Sequence, residues 1–218
     1  MDQGHPKGEE SKMALNNKKC RLCRREKTKL FLKGERCFSS KCPIERKGAV
    51  PPGMHGLKSN FRPSGYGIEL RGKQKIKRYY GLTERQLKNY FLKGSKMAGD
   101  SENNLVYLLE SRLDNVVYRL GLAPSRRSAR QLIVHGHLQV NDQKVTIPAY
   151  LVKEKDRIEL SAKAGGLKQV KEWLAKKDLG VPAWLARKGL IGLIKGAPGV
   201  EDLPSDFDSG LVIEYYSR

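Results

Sequence analysis

Cys20, Cys23, Cys37 and Cys42 are the chain's four cysteines, and they stand as C-x2-C, thirteen residues, then C-x4-C. Thiolates in two short pairs can close a tetrahedron about zinc, because each pair forms a knuckle whose sulfurs point at one spot. An iron–sulfur cluster also accepts four cysteines, and spacing alone does not separate the two. Disulfides fit less well, since no signal-peptide pattern opens the chain and 218 residues need no covalent staples. His55 lies beyond the fourth cysteine as a substitute ligand, although a polar loop histidine is the plainer reading. A site with four cysteine ligands leaves no position for water or substrate, so the metal's role is to fold the segment. Residues 18–47 carry few large apolar groups beyond Leu22, Leu30, Phe31, Leu32, Phe38 and Ile44. Burying so little does not offset the ordering entropy, whereas zinc binding in small modules contributes about 10 to 16 kcal/mol.

The charge of the chain points to its partner. Lysine and arginine number 43 against 23 acidic residues, a net charge of +20, far beyond what solubility asks. The excess is uneven: Cys20 to Arg78 holds 17 basic and 4 acidic residues, while Ala197 to the end holds one basic and five acidic. The amino-terminal stretch has no amphipathic period of the kind a membrane-surface helix needs, and no run of about 18 apolar residues marks a transmembrane span. A nucleic acid in the cytoplasm is therefore the expected partner. The first dozen residues, MDQGHPKGEESK, are polar and expected to be disordered.

Candidate contacts follow from residue type. Arg21, Arg24 and Arg25 sit among the cysteines, Arg62 and Tyr66 lie in a loop rich in glycine and proline, and Arg71, Lys73, Lys75 and Arg78 lead into Tyr79 and Tyr80. Basic side chains can track phosphates while tyrosines stack on bases or ribose. The alternative is a solvated helix face with Tyr79 and Tyr80 packed inward.

The elements that must position these groups can be read next. Glycines and prolines from Pro51 to Gly67 break helices and strands alike, and Gly81 stops the helix that carries the basic run. Thr83 with Gln86 three on is a capping box before a short helix. Leu105, Leu108, Leu109, Leu113, Val116, Val117 and Leu120 keep the spacing of one amphipathic helix ended by Gly121. Ser125 caps a second helix through Val134, with Ala129, Leu132 and Ile133 on one side and Gly136 as its stop. Arg126, Arg127 and Arg130 are expected on the opposite side, where a helix amino terminus and three guanidinium groups make a phosphate seat. On that reading, replacing Arg126 and Arg130 with alanine weakens RNA binding without unfolding the module. His137 to Asn141 alternates as a strand, Asp142-Gln143 turns, and Val145, Ile147, Ile158 and Leu160 supply further strand positions. His135 and His137 form an H-x-H pair, but without an acidic neighbour an RNA contact or plain surface is the better reading.

Glu110 to Gly121 (ESRLDNVVYRLG), Ser125-Arg126, Ala129-Arg130-Gln131 and His135-Gly136-His137 closely resemble bacterial small-subunit ribosomal protein S-four. The resemblance runs on through Val140-Asn141 and Val145 to Pro148, and upstream to Tyr79 to Leu82 and Cys20 to Glu26. Pro182 to Leu185 and the ending Leu211 to Arg218 also resemble the family, so nearly the whole chain is covered; Met13 offers an alternative start. The resemblance implies a primary binder of 16S ribosomal RNA in its 5′ domain, acting early in assembly of the 30S subunit. By matching position, Arg112, Arg126, Arg127, Arg130, His135 and His137 would face RNA. It further implies contact with ribosomal protein S-five and other 30S proteins, a place near mRNA where it enters the subunit, and an influence on decoding accuracy. Glu201, Asp202, Asp206 and Asp208 have the sign that suits a basic protein neighbour, or else form a solvated tail. Members of the family often lack some or all of the four cysteines, so metal binding rests on this chain's own residues.

An enzyme would need a catalytic domain, and the lengths left outside the small module and the cysteine segment are too short for one. There is no glycine-rich phosphate loop and no nucleophile elbow, so neither catalysis nor a small-molecule substrate is expected. A zinc-dependent DNA-binding regulator is the other alternative, but no recognition helix follows the cysteines. The expected class is α+β in two domains. Residues 1–104 with 177–218 would form a mostly helical RNA-binding domain with a metal knuckle at 18–47, and residues 105–176 an inserted α/β module of two helices on a small bent sheet.

Overall fold

The computed structural model describes residues 19–56, 62–174 and 180–218. They fall into two compact units, one ending at Arg62 and one beginning at Pro63. The expectations for the first dozen residues and for Met13 lie outside the described residues.

In the first unit, helix α1 (Lys19–Glu26) is followed by a 3-10 turn (Gly34–Cys37) and the short helix α2 (Pro43–Lys47). Lys27, Phe31 and Gly34 adopt left-handed φ values of 56°, 49° and 61°, which turn the chain sharply between the two cysteine pairs. Proline at the first position of α2 needs no amide partner there. Leu30 is fully buried, and Phe31 stacks on the exposed Phe38 at 5.0 Å. Arg24 donates to the carbonyls of Val50 and Pro51 at 2.8 and 3.1 Å, tying α1 to the loop that follows.

The second unit starts with α3 (Gly65–Tyr80), whose Ser64 cap accepts from the Gly67 amide. The helix thus begins inside the stretch that its glycines and proline marked as loop, because a side-chain cap satisfies the first turn. Gly81 ends it at φ 66°. Thr83 and Gln86 form the expected capping box on α4 (Glu84–Gly94). The single helix expected from Leu105 to Leu120 is instead two, α5 (Ser101–Glu110) and α6 (Leu113–Arg119). The break has a backbone cause. Leu113 and Asp114 donate to the Tyr150 and Pro148 carbonyls at 2.8 and 3.1 Å, and Val152 donates to Ser111 at 2.9 Å, so a crossing segment replaces the helical bonds. The apolar spacing survives the break, which is why the sequence conceals it.

Ser125 caps α7 (Arg126–Val134) through the Ser128 amide, and Gly136 follows at φ 70°. Strands β1 (Leu138–Val140), β2 (Gln143–Lys144), β3 (Arg157–Leu160), β4 (Leu185–Lys188) and β5 (Ile191–Ile194) form an antiparallel sheet in the order β2-β1-β3-β5-β4. The β1–β2 turn falls on Asn141 and Asp142, both left-handed, one residue earlier than expected. Ile158 and Leu160 take strand positions; Val145 lies just past β2, and Ile147 is exposed outside any strand. The sheet continues through Ile194, so chain expected to have left the module after residue 176 still adds two strands to it. Helices α8 (Ala162–Gly165) and α9 (Lys168–Leu174) intervene. The core joins Val116, Leu120, Ala129, Ile133, Leu138, Ile158 and Leu160 to Trp184 and Ile194. A last helix, α10 (Gly210–Ser217), packs on α3, where a Cβ on Gly72 would come within 2.6 Å of Leu211. The architecture is α+β. Among the described residues, no helix is long and apolar enough to cross a membrane.

Candidate nucleic-acid interface and cysteine cluster

Around α6 and α7 a buried frame of charges holds the basic surface. Glu110 is fully buried and accepts from Tyr80 Oη at 2.5 Å, Asn115 Nδ2 at 2.7 Å, and Arg119 Nε and Nη2 at 3.0 and 2.8 Å. Burial pushes Glu110 toward protonation, but Arg119 and the hydrogen bonds outweigh it, so its pKa lies below the usual value. Burial and the neighbouring carboxylate together push the Tyr80 phenol well up. Asn115 passes the network on by accepting from Arg126 Nε at 2.8 Å. Beside it, buried Asp114 binds Arg112 through two hydrogen bonds of 3.0 and 2.7 Å and Arg130 at 2.7 Å.

These contacts decide where the expected RNA residues point. Arg112 is 2% exposed, its guanidinium braced by Asp114 and Tyr90 at the back of a cavity rather than standing out from the surface as expected. Arg126 is also buried, correcting the expectation that it lies opposite the apolar face. It precedes Ala129 and Ile133 by three and seven residues, which puts it on their side of the helix. Arg127 is exposed and Arg130 is partly exposed, so the phosphate seat contracts to these two. Tyr79 and Tyr80 pack inward, with Tyr79 4.5 Å from Phe207, and do not offer rings for stacking. Lys73 is buried as well, bonded to Glu84 at 2.5 Å with its ammonium 3.9 Å from the Tyr215 ring. Lys75 donates to the Asp206 carbonyl at 2.9 Å, and Arg71 and Arg78 are half-buried. Tyr66 is half exposed, its hydroxyl 3.4 Å from that of Tyr215. Arg62 is exposed, as are Arg21 and Arg25 on α1, whereas Arg24 is spent on its own loop. His135 is exposed and His137 half-buried, their rings nearly parallel at 6.2 Å, and they border a cavity of about 430 Å³ with Ser128 and Gln131.

Sequence reading missed Glu110, Asp114 and Asn115 as the groups that aim this surface. Their signal was present: two acids and an amide interrupt a helical stretch, Leu105 to Leu120, that otherwise keeps an apolar period. It also missed Glu84, which joins Lys73, Lys77 and Tyr216 across three helices.

The cysteines are free thiols: Cys23, Cys37 and Cys42 are buried and Cys20 is partly so. All four border one small cavity of about 10 Å³, close to the room a single water-sized atom takes. Burial pushes the Cys23 thiol up to about 11, with Cys37, Cys20 and Cys42 adding to the rise against a lowering hydrogen bond from Leu30. The Lys33 amide donates to Cys37 Sγ at 3.4 Å. Nevertheless, no three His, Cys, Asp or Glu side chains among the described residues stand together as a ready metal group. The donor set fits a soft cation, but the closed knuckle expected from the spacing is not formed by the thiols as they stand.

A small antiparallel sheet backed by two helices, with exposed arginines on an acid-braced frame and a net charge of +20, defines a basic α+β protein of the polyanion-binding class. A family model described as "Ribosomal protein S4/S9 N-terminal domain" matches residues 14–110, and one described as "S4 domain" matches residues 111–158. The small ribosomal subunit protein uS4 of Thermus thermophilus is 50% identical over 202 residues, 91% of this chain and 96% of its own length. The corresponding protein of Magnetococcus marinus is 48% identical over 203 residues, covering 92% and 97%. The uS4A protein of Symbiobacterium thermophilum is 46% identical over 201 residues, covering 91% and 96%. The chain belongs to the bacterial uS4 family: it is a structural protein of the small ribosomal subunit and not an enzyme.

Proposed function

We propose that this chain binds the 5′ domain of 16S ribosomal RNA and helps nucleate the body of the 30S subunit. The observation that carries the reading is the exposure of Arg127, with Arg130 and His135 on the same helix or just after it, above a buried acid frame in a chain of net charge +20. Acids are kept inside, where they orient arginines, and the outward side chains of this helix are cationic or polar up to Val134, which is exposed at its last position. Arg21, Arg25 and Arg62 extend the set of exposed cations. The exposed Glu201, Asp206 and Asp208 suit a basic neighbour such as ribosomal protein S-five, through which an effect on decoding accuracy and a position near incoming mRNA would arise. A competition assay tests the reading: a 5′-domain transcript should displace a roughly hundredfold excess of unrelated structured RNA or duplex DNA, a margin inside the about thousandfold or larger specificity ratios of specific nucleic-acid binders. Equal competition by all three contradicts it.

For the cysteine segment we propose zinc, held by Cys20, Cys23, Cys37 and Cys42, in preference to an iron–sulfur cluster. That all four cysteines border one atom-sized cavity supports this, and a single ion needs less room than a cluster. The ion would supply folding energy only. Elemental analysis of the purified chain should give one zinc per molecule and no iron.

A further inference from the structure

A cavity of about 360 Å³ opens beside α4, apart from the surfaces above. Gln86, Asn89, Tyr90, Lys93 and Lys96 line it, and no carboxylate does. The hydrogen bonding sets what each offers. Gln86 Oε1 accepts from the Thr83 amide at 3.0 Å, which leaves the side-chain NH2 to donate. Tyr90 Oη accepts from Arg112 Nη1 at 2.6 Å, so its own proton remains for another acceptor. Arg112 also borders the cavity, its charge paired with buried Asp114. Lys93, Lys96 and Asn89 are exposed, and among the described residues no ion pair or side-chain hydrogen bond engages them. Leu92, 44% exposed, supplies an apolar edge.

We infer that this cavity takes a single unpaired ribonucleotide, its phosphate between Lys93 and Lys96, its base against Leu92 and Tyr90, and its polar edge on the amides of Gln86 and Asn89. The inference rests on the ribosomal RNA reading above and adds a site to it. The volume is at the lower end for small-molecule pockets, beginning at about 300 Å³. A duplex presents phosphates along a broad ridge and cannot enter such a space, whereas an unstacked nucleotide can. An acidic peptide would satisfy the lysines but leave the apolar edge and the two amides unmatched.

The test uses the full chain and a transcript of the 16S 5′ domain. Amine-reactive labelling reads Lys93 and Lys96 directly, and 2′-hydroxyl acylation reads the RNA at single nucleotides. Gln86→Glu is the informative variant, because glutamate preserves the capping box with Thr83 while placing a carboxylate in the cavity. The double variant Lys93→Gln, Lys96→Gln serves if circular dichroism shows that the first has lost helix. Both lysines should be protected by the RNA, and one unpaired nucleotide protected by the native chain should become reactive with either variant. Affinity should fall about tenfold, the equivalent of one good contact. The inference is overturned if the bound native chain leaves both lysines as reactive as in free protein, if the variants leave the footprint unchanged, or if polyglutamate rather than the RNA protects the lysines. A native chain that leaves no specific footprint overturns the ribosomal RNA reading itself, which distinguishes the two failures.

Discussion

The Arg126 guanidinium carbon lies 3.7 Å from the centre of the Tyr79 ring, with Tyr118 at 4.5 Å and Tyr80 at 5.2 Å. Among the described residues no carboxylate bonds to this deeply buried charge; Asn115 takes its Nε–H, and Nη2 has no hydrogen-bond partner among them. Ring faces therefore do the stabilising, and the arginine ties α3 to α7. Arg126→Ala should lower unfolding free energy by about 2 to 5 kcal/mol, as a large buried truncation does, measured by urea denaturation. Arg127→Ala, on the exposed side of the same helix, should leave stability within about 0.5 kcal/mol and weaken RNA binding. If the two variants behave alike in stability, the orientation of α7 is wrong.

Glu84 gives a pH signature. Partial burial favours its protonated form, but hydrogen bonds from Lys73, Lys77 and Tyr216 prevail and hold its pKa at about 2, below the ordinary 4.5. Between those values the unfolded chain binds the proton and the folded chain does not, so stability is present above pH 4.5 and drains away as pH falls toward 2. In Glu84→Gln, melting temperature should decline less steeply across that window. An unchanged pH profile would show that the carboxylate is not held in this way.

Gly72 meets Leu211 where α3 and α10 pack, so closely that a Cβ at position 72 would lie 2.6 Å from Leu211 Cδ1 and 2.7 Å from its Cβ. The second of these contacts cannot be relieved by rotating the leucine side chain. Gly72→Ala should cost about 1 to 3 kcal/mol through overpacking, although alanine favours helix. Leu211→Ala in the same chain should recover part of it; failure to recover any would place the strain elsewhere.

Chelation of the proposed zinc should abolish protection from proteolysis across residues 19–56, because Leu30 is the one fully buried apolar side chain outside the cysteines there. The unit from Pro63 onward, with its own core, should keep its helical circular dichroism. Resistance of the cysteine segment to protease after chelation would show that it folds without metal.

Much of this was legible in sequence wherever one local rule decides the outcome. Thr83 with Gln86, Ser125, Gly81, Gly121 and Gly136 start and stop helices through bonds and dihedral angles made within four residues. The break at Arg112 was not legible, because the partners that replace its helical bonds lie near residue 150. The aim of the arginines was only half legible. Charge says that an arginine wants an anion or an aromatic face, but not whether that partner is a phosphate outside or Asp114 and Tyr79 inside. Arg126 illustrates the error: its spacing from Ala129 and Ile133 marked it as inward, and its charge argued it outward. The strands from Leu185 to Ile194 were missed because they join the sheet through β5, whose pairing with β3 spans the whole of the chain between Leu160 and Ile191.

The most direct test of RNA binding by this chain is titration against a 16S 5′-domain transcript from 50 to 200 mM salt, with unrelated structured RNA in parallel. Contact with about 6 to 10 phosphates predicts a loss of affinity on the order of a thousandfold across that range, with the cognate transcript preferred throughout. A flat salt dependence, or equal affinity for every RNA offered, would contradict it.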